Sequence, residues 1–421
     1  MSVGQALEEG SALDRTISLG LILLALGVLM ARRFRWDDFV RRNTALVAFV
    51  FFGLLSVFWS DFPLVAFKRW FRDIAMYLMV PVVLSDPQPL EAVCTLLRRV
   101  SYFLVPLSLL LIKYYPEIGT HYTQWGVREV TGVATSKNDL GNLCLVCGLF
   151  FLWDICTRWS TRKERQTRKV IAVNLAFLAM PLRLLYLGHS ATSNACFAIG
   201  CVVILMVQSR VGKHHPVFLR TLLPLSFLVY AILAYGFDLN SQLAPVVGRN
   251  GDLTNRTVIW GALLSMNTNP LFGVGYQSFF LGDRLHLFWS RSGTYVTEAH
   301  NGYLGVYLDL GLIGLSLVVL FLISSYRTIM KRLKPFSSFA SLSLALWTVL
   351  LFYNVTEEAI KLHFVWVAFL LVAINAPLKT EKRIPDLAAL DSVGGVTKFA
   401  SLAGESGAVQ ARRNATVLVQ K

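Results

Sequence analysis

The chain has 421 residues, of which 55% are apolar and only 15% charged, with a mean hydropathy of +0.55. A soluble globular domain of this length carries about a quarter charged residues, so the composition excludes that class and indicates a polytopic membrane protein. The formal charge of +15 would suggest nucleic acid in a soluble protein, but here Lys and Arg fall in short clusters between apolar runs, which marks membrane topology.

A spanning helix needs roughly 20 apolar residues, fewer where flanking residues snorkel. On that criterion the sequence predicts an all-α membrane protein with about eleven spans, centred on 16–31, 44–59, 70–84, 100–113, 140–157, 170–187, 189–207, 216–237, 301–324, 337–353 and 363–378. Glu8, Glu9 and Asp14 precede the first run where a cleavable signal peptide would have a basic region, so the first helix is expected to be retained. Arg32, Arg33, Arg35, Arg41 and Arg42 follow the first span, Arg158 to Lys169 hold six basic residues after the fifth, and Arg327, Lys331, Arg332 and Lys334 follow the ninth. Eleven spans put these clusters on one side, with Arg98, Arg99, Arg210, Lys213 and the tail from Lys379, and that side is then the cytoplasm. The expected organisation is an N-terminal bundle over 1–237 with about eight spans, a large external loop over 238–300, three spans over 301–378 and a mobile cytoplasmic tail over 379–421. Cys144 and Cys147 have CxxC spacing but lie inside an apolar run, where packing is the expected role.

The external side receives loops 114–139 and 238–300. The second has Trp260, Phe272, Phe279, Phe280, Phe288, Trp289 and Tyr295, too many aromatics for a disordered linker. Ile259, Leu263 and Met266 recur at helical spacing after Thr254 or Asn255, either of which can cap, and Asn269 and Pro270 end the run. An amphipathic helix on the outer leaflet or over the spans is expected there.

Cations on the external side stand out because that side should be poor in them: Lys68, Arg69, Arg72, Arg128, Lys137, Arg249, Arg256, Arg284 and Arg291. Several converging cations make an anion cradle, and Arg binds diphosphate in a bidentate fashion. Arg256, in the expected first helical turn, is the strongest candidate; the alternative for each is a solvated charge or a headgroup contact. His300 begins the ninth span, where the helix N-terminus favours a neutral imidazole able to act as a general base, or where the ring is simply an interfacial anchor. Asn301 can orient a hydroxyl or phosphate oxygen, or only start the helix. Asp309 lies nine residues into this span, about 13 Å deep at 1.5 Å per residue, and is either functional or a partner for an inward Arg such as Arg183. Gly305, Gly311 and Gly314 would let helices approach closely. His286 has no supporting neighbours, His214 and His215 lie on the cytoplasmic side, and no metal-binding pattern occurs on the outer face, so neither a metal nor another cofactor is expected. The Asn-x-Thr matches at Asn255, Asn354 and Asn414 are expected by chance.

His300-Asn301, nine residues, then Gly311-Leu312-Ile313-Gly314 resembles the His-Asn/Ser/Gln-x9-Gly-x-x-Gly signature of the bacterial O-antigen ligase and polymerase superfamily. Gly248 to Trp260, with Arg249 and Arg256, is similar to the Gly-Arg-Asp…Thr-Gly-Arg…Trp stretch of its exopolysaccharide polymerase branch. Pro270 to Gly275 resembles the Pro-x-x-Gly-x-Gly that follows, and Ser136-Lys137-Asn138-Asp139-Leu140-Gly141 the Lys-Asn-x-Leu-Gly opening a central span. Two departures stand out: Asn255 occupies the usual Gly position before Arg256, and Ser190-Ala191-Thr192 lacks the cation expected in that pattern.

The resemblance implies a metal-independent glycosyltransferase that takes a glycan from undecaprenyl diphosphate on the periplasmic face of the bacterial inner membrane and passes it to an acceptor sugar hydroxyl. It implies His300 as base or diphosphate contact, Arg249 and Arg256 as diphosphate ligands, and Arg128, Lys137 and Asn138 as secondary ligands, with Asn301 beside them and Asp309 and Arg69 as further candidates. The leading expectation is a polymerase of exopolysaccharide or O-antigen repeat units. A ligase to lipid A core is the nearest rival, and a transporter of the lipid-linked oligosaccharide a distant one, disfavoured because no internal repeat is present and the polar cluster lies at one surface. The expected partners are the lipid-linked oligosaccharide, membrane lipid, and chain-length and export proteins, with no nucleic acid.

Overall fold

A computed structural model describes residues 12–122, 126–209, 212, 221–230, 252–266, 268–293, 295–333, 338–361 and 363–374. The helices are α1 Ala12–Ala31, α2 Trp36–Arg42, α3 Thr44–Leu55, α4 Pro63–Leu84, α5 Pro89–Tyr114, α6 Lys137–Arg158, α7 Arg165–Gly188 and α8 Ala191–Gln208. They continue with α9 Thr221–Tyr230, α10 Asp252–Leu264, α11 Gly282–Ser292, α12 Gly302–Leu333, α13 Ser338–Thr356 and α14 Phe364–Ala373. The chain is a multi-pass membrane protein. Each of the eleven expected spans meets a helix, and seven described helices are long and apolar enough to cross a membrane alone. The pair α2 and α3 with its 3-10 extension, bent by 97°, makes an eighth if taken as one span. Loop 114–139 adds one small exception to an all-helical reading: Thr120–Tyr122 and Arg128–Val130 pair as antiparallel strands, β1 and β2.

The core is built round α6 and α13, whose apolar windows are 83% and 89% buried, whereas that of α1 is 17% buried at the periphery. Because α6 and α13 face protein on nearly every side, their sequences show no apolar stripe, and buried hydroxyls must be satisfied internally. Ser343 and Thr348 donate to the carbonyls of Phe339 and Leu344, four residues back in the same helix. Cys144 and Cys147 are buried free thiols of α6, as packing predicts.

Long-range polar bonds tie loops that the eleven-span alternation places together. At the basic end Trp153 donates to the Ser338 carbonyl at 2.7 Å and Arg32 to that of Val82 at 2.9 Å. At the other end Thr192 meets Thr356 at 2.9 Å and Ser190 donates to Asn138 at 3.2 Å. Loop residues 238–300 contribute α10 and α11 to this second end.

Gly305 allows the close approach expected of it, a Cβ there meeting Glu358, but Gly311 has a different role. Gly311 adopts φ 64° and ψ −165°, which breaks the helix and withdraws four backbone groups from its ladder. The segment 270–275 satisfies all four: Val274 and Gly275 donate to the carbonyls of Leu308 and Asp309 at 3.2 and 2.8 Å, while Pro270 and Leu271 accept from Leu312 and Ile313 at 2.9 and 3.2 Å. A Cβ at Gly311 would collide with the Leu271 carbonyl, and one at Gly273 with the Asp309 backbone. Non-helical backbone at membrane depth is tolerated only where protein re-satisfies it, and here the Pro-x-x-Gly-x-Gly segment does so.

Candidate functional site

The break leaves a short half-helix, Gly302 to Leu310, aimed with its N-terminus at the loop end. Asn301 is buried and caps it, its side-chain oxygen accepting from the amides of Tyr303 and Leu304 at 3.1 Å each. The geometry therefore assigns Asn301 to starting the helix, and the orienting role expected for it is revised. His300 precedes it at φ 48°, a left-handed conformation that costs a non-glycine residue about 1–3 kcal/mol.

The opposing wall is a seven-residue turn between α13 and α14 that the sequence reading passed over. Glu357, Glu358, Lys361 and His363 lie on it, and it is laced to His300's neighbours: Gly302 donates to the Glu357 carbonyl at 3.0 Å, and Ala299 to the Glu358 side chain at 2.6 Å. His300 Nδ1 lies 2.9 Å from Glu298 Oε1 and 3.5 Å from Glu357 Oε2, close enough for strong attraction although neither contact is aligned as a hydrogen bond. Burial opposes the charged ring, but the two carboxylates outweigh it and push the His300 pKa up to about 10. The neutral imidazole expected at a helix start is thus replaced by an imidazolium at pH 7. Glu298 is partly buried, which opposes its ionisation, yet His300 holds its pKa below the usual carboxylate range.

Arg256 joins the same carboxylate from α10. Its Nη2 lies 2.9 Å from Glu357 Oε1, and its Nη1 donates to the Thr356 carbonyl at the C-terminus of α13, where the helix dipole favours a cation. The helix already includes Asp252, so Arg256 lies beyond the expected first turn, and Thr254 and Asn255 fall inside the helix in place of capping it. Ile259, Leu263 and Met266 are buried as their spacing predicts, against Phe279, Phe280, Phe288 and Leu308.

Asp309 is buried, accepts from the Phe279 amide at 3.1 Å, and lies 3.8 Å from Lys361 Nζ. Its cation is Lys361 and not Arg183, which stacks over Tyr186 instead. Lys361 also sits 2.6 Å from Glu358, and burial, which disfavours its charge, is overcome by Glu358 and Asp309, so its pKa is raised. Asp309, Glu358 and Lys361 line a pocket with Tyr276, Gln277 and Gly302. Arg69 donates to the Gln277 carbonyl beside that pocket. Gln277 Nε2 in turn donates to the buried Asp73 at 2.6 Å.

The secondary candidates lie on the adjoining turn. Lys137 pairs with Glu129 of β2 at 2.8 Å, Asn138 accepts from Ser190, and Arg128 is exposed on β2. Arg249 lies outside the described residues. Asn354 is fully buried and its side-chain oxygen accepts from Ala359, which makes it a poor glycan acceptor.

One grouping is new relative to the sequence. Donor atoms of Glu298, His300 and Glu357 lie within 4.8 Å of one another, a spacing compatible with a cation, where no metal-binding pattern was legible. Arg256 and the imidazolium already supply positive charge to these carboxylates, so the residues present do not require a metal ion to balance them.

With this geometry in view, the model of the O-antigen ligase family matches residues 175–319, which takes in Arg256, His300, Gly311 and Gly314. The chain is also 23% identical over 306 residues to the exopolysaccharide production protein ExoQ of Rhizobium meliloti (strain 1021), a stretch covering 68% of this chain and 65% of that relative. The resemblance to the O-antigen ligase superfamily, read from four motifs, is found again in the family match, and that to its exopolysaccharide branch in the relative.

Proposed function

We propose that the chain is a membrane glycosyltransferase that uses undecaprenyl-diphosphate-linked glycan at the periplasmic face of the bacterial inner membrane and polymerises exopolysaccharide or O-antigen repeat units. The carrying observation is that Arg256 and His300, from separate elements, converge on the single carboxylate Glu357. Two cations focused on one oxyanion form a site into which a diphosphate can move by displacing that carboxylate.

In the reaction, the acceptor hydroxyl passes its proton to a base at the site as its oxygen bonds to the donor's anomeric carbon, and the bond from that carbon to the diphosphate oxygen breaks. Undecaprenyl diphosphate departs with the electron pair. Arg256 and the His300 imidazolium stabilise the charge that develops on it, and no metal ion is invoked. Chain-length and export proteins are the expected partners at this face. The ligase reading is favoured by one specific observation, the description of the family whose model matches residues 175–319.

The two are separated in cells lacking the gene and complemented with His300→Ala. A polymerase predicts accumulation of single-repeat lipid-linked oligosaccharide and loss of long chains. Long lipid-linked chains that never reach lipid A core would instead establish the ligase, and unchanged surface glycan would refute both.

A further inference from the structure

We propose that His363, backed by Asp139, is the base that takes the acceptor's proton, leaving His300 to serve as a cation; this rests on the glycosyl-transfer reading above. The two histidines lie at the same end of the bundle but in opposite settings. His300 Nδ1 faces two carboxylates, which retain its proton. His363 Nδ1 lies 2.8 Å from a single carboxylate oxygen, Asp139 Oδ1, at the first turn of α6.

That carboxylate is itself held. Thr135 and Ser136 each donate to Asp139 Oδ2 at 2.8 Å, and Ser136 accepts from the Asp139 amide at 3.0 Å as the cap of α6. An imidazole whose Nδ1–H is fixed on an anchored carboxylate presents Nε2 as a proton acceptor in one tautomer and one orientation. The side chains of His363 and Asp139 are 31% and 29% exposed, so the pair is open to solvent, and His363 is close enough to Glu298, the neighbour of His300, for the two charges to interact. His363 begins α14 on the same turn that carries Glu357, the carboxylate shared by Arg256 and His300. Lys137 and Asn138 adjoin Asp139 in sequence.

The charged groups that act on His363 are Asp139 from α6, which it contacts, Glu298 from the segment before α12, and Glu358 on its own turn. Burial disfavours its charge, and Asp139, with Glu298 and Glu358 behind it, raises its pKa above the ordinary histidine value. The step balances: the acceptor O–H proton moves to His363 Nε2, the new glycosidic bond forms, and the electron pair leaves on the diphosphate.

The test uses full-length protein in nanodiscs and, as donor, the lipid-linked oligosaccharide extracted from cells lacking the gene. His363→Asn keeps an N–H to meet Asp139 but has no basic nitrogen, so it should fold and lose about 10²- to 10⁴-fold in kcat with little change in KM. Asp139→Asn removes the charge that favours the imidazolium, so the acid limb of the pH–rate profile should move to lower pH as kcat falls. His363→Asn turnover within threefold of wild type, or an unmoved acid limb in Asp139→Asn, would overturn the base assignment while wild-type turnover leaves the glycosyltransferase reading intact. No conversion by wild type would overturn both.

Discussion

The two ends of the bundle handle charge in different ways. At the basic end the ion pairs are mostly local: Arg35 with Asp38 at 2.9 Å three residues on, and Arg158 with Asp154 at 3.0 Å one turn back. At the site end, beside the local pairs of His300 with Glu298 and Lys361 with Glu358, others join elements far apart in the chain, as in Arg256 with Glu357, His363 with Asp139, Lys361 with Asp309 and Arg284 with Asp61. Local pairs support the helix they sit on and need nothing else to form. Distant ones exist only when the bundle is assembled, so the site end holds an arrangement of charge that no single segment encodes.

The largest expected effect on this contrast comes from Arg256→Ala. It leaves the buried Glu357 with His300 alone as its cation and uncovers the C-terminus of α13, costing up to about 3–5 kcal/mol and abolishing polymer formation. Thermal unfolding in nanodiscs and glycan analysis in cells measure the two outcomes separately, and Arg256→Lys, which keeps the charge but not the fork, should fall between Ala and wild type.

Gly311→Ala comes next. It forces an alanine into a left-handed conformation against the Leu271 carbonyl, at a cost of about 1–3 kcal/mol before the four interlocking hydrogen bonds loosen. Reduced turnover with normal membrane insertion is the expected outcome.

The pH dependence is subtler. His300 has a folded-state pKa of about 10 against an ordinary value near 6.5, so its stabilisation is fully present below pH 6.5 and is lost as pH rises through 10. His300→Gln should flatten the stability curve across that window. Glu298, with a lowered pKa, acts in the opposite direction: its contribution is present above the ordinary carboxylate range and is lost on acidification. At the basic end, Arg35→Ala removes an exposed pair and should cost under about 1 kcal/mol and leave turnover unchanged. A large effect there would erase the distinction between the ends.

How much of this was legible in the sequence follows the same division. Hydropathy and Lys/Arg clusters revealed the helices and the alternation of loops because both are local signals. The buried face of α10 was legible because Ile259, Leu263 and Met266 carry a helical period. The break at Gly311 was not, since a glycine in an apolar run reads equally as a packing residue; only the fourfold pairing with 270–275 distinguishes them. Glu357, Glu358, Lys361 and His363 were missed because four polar residues between two apolar runs look like an ordinary solvated turn. His300 was singled out by its motif, but its charge was not legible, because Glu298 and Glu357 come to it from a loop and from a separate turn.

The central claim is that the donor's diphosphate takes the place of Glu357 between Arg256 and His300. The most direct measurement is binding of undecaprenyl diphosphate to the purified protein in nanodiscs, comparing wild type with Glu357→Gln, Arg256→Ala and His300→Ala. Tighter binding in Glu357→Gln, with at least tenfold weaker binding in the two cation variants, is the predicted result. Equal affinity across all four proteins would contradict it.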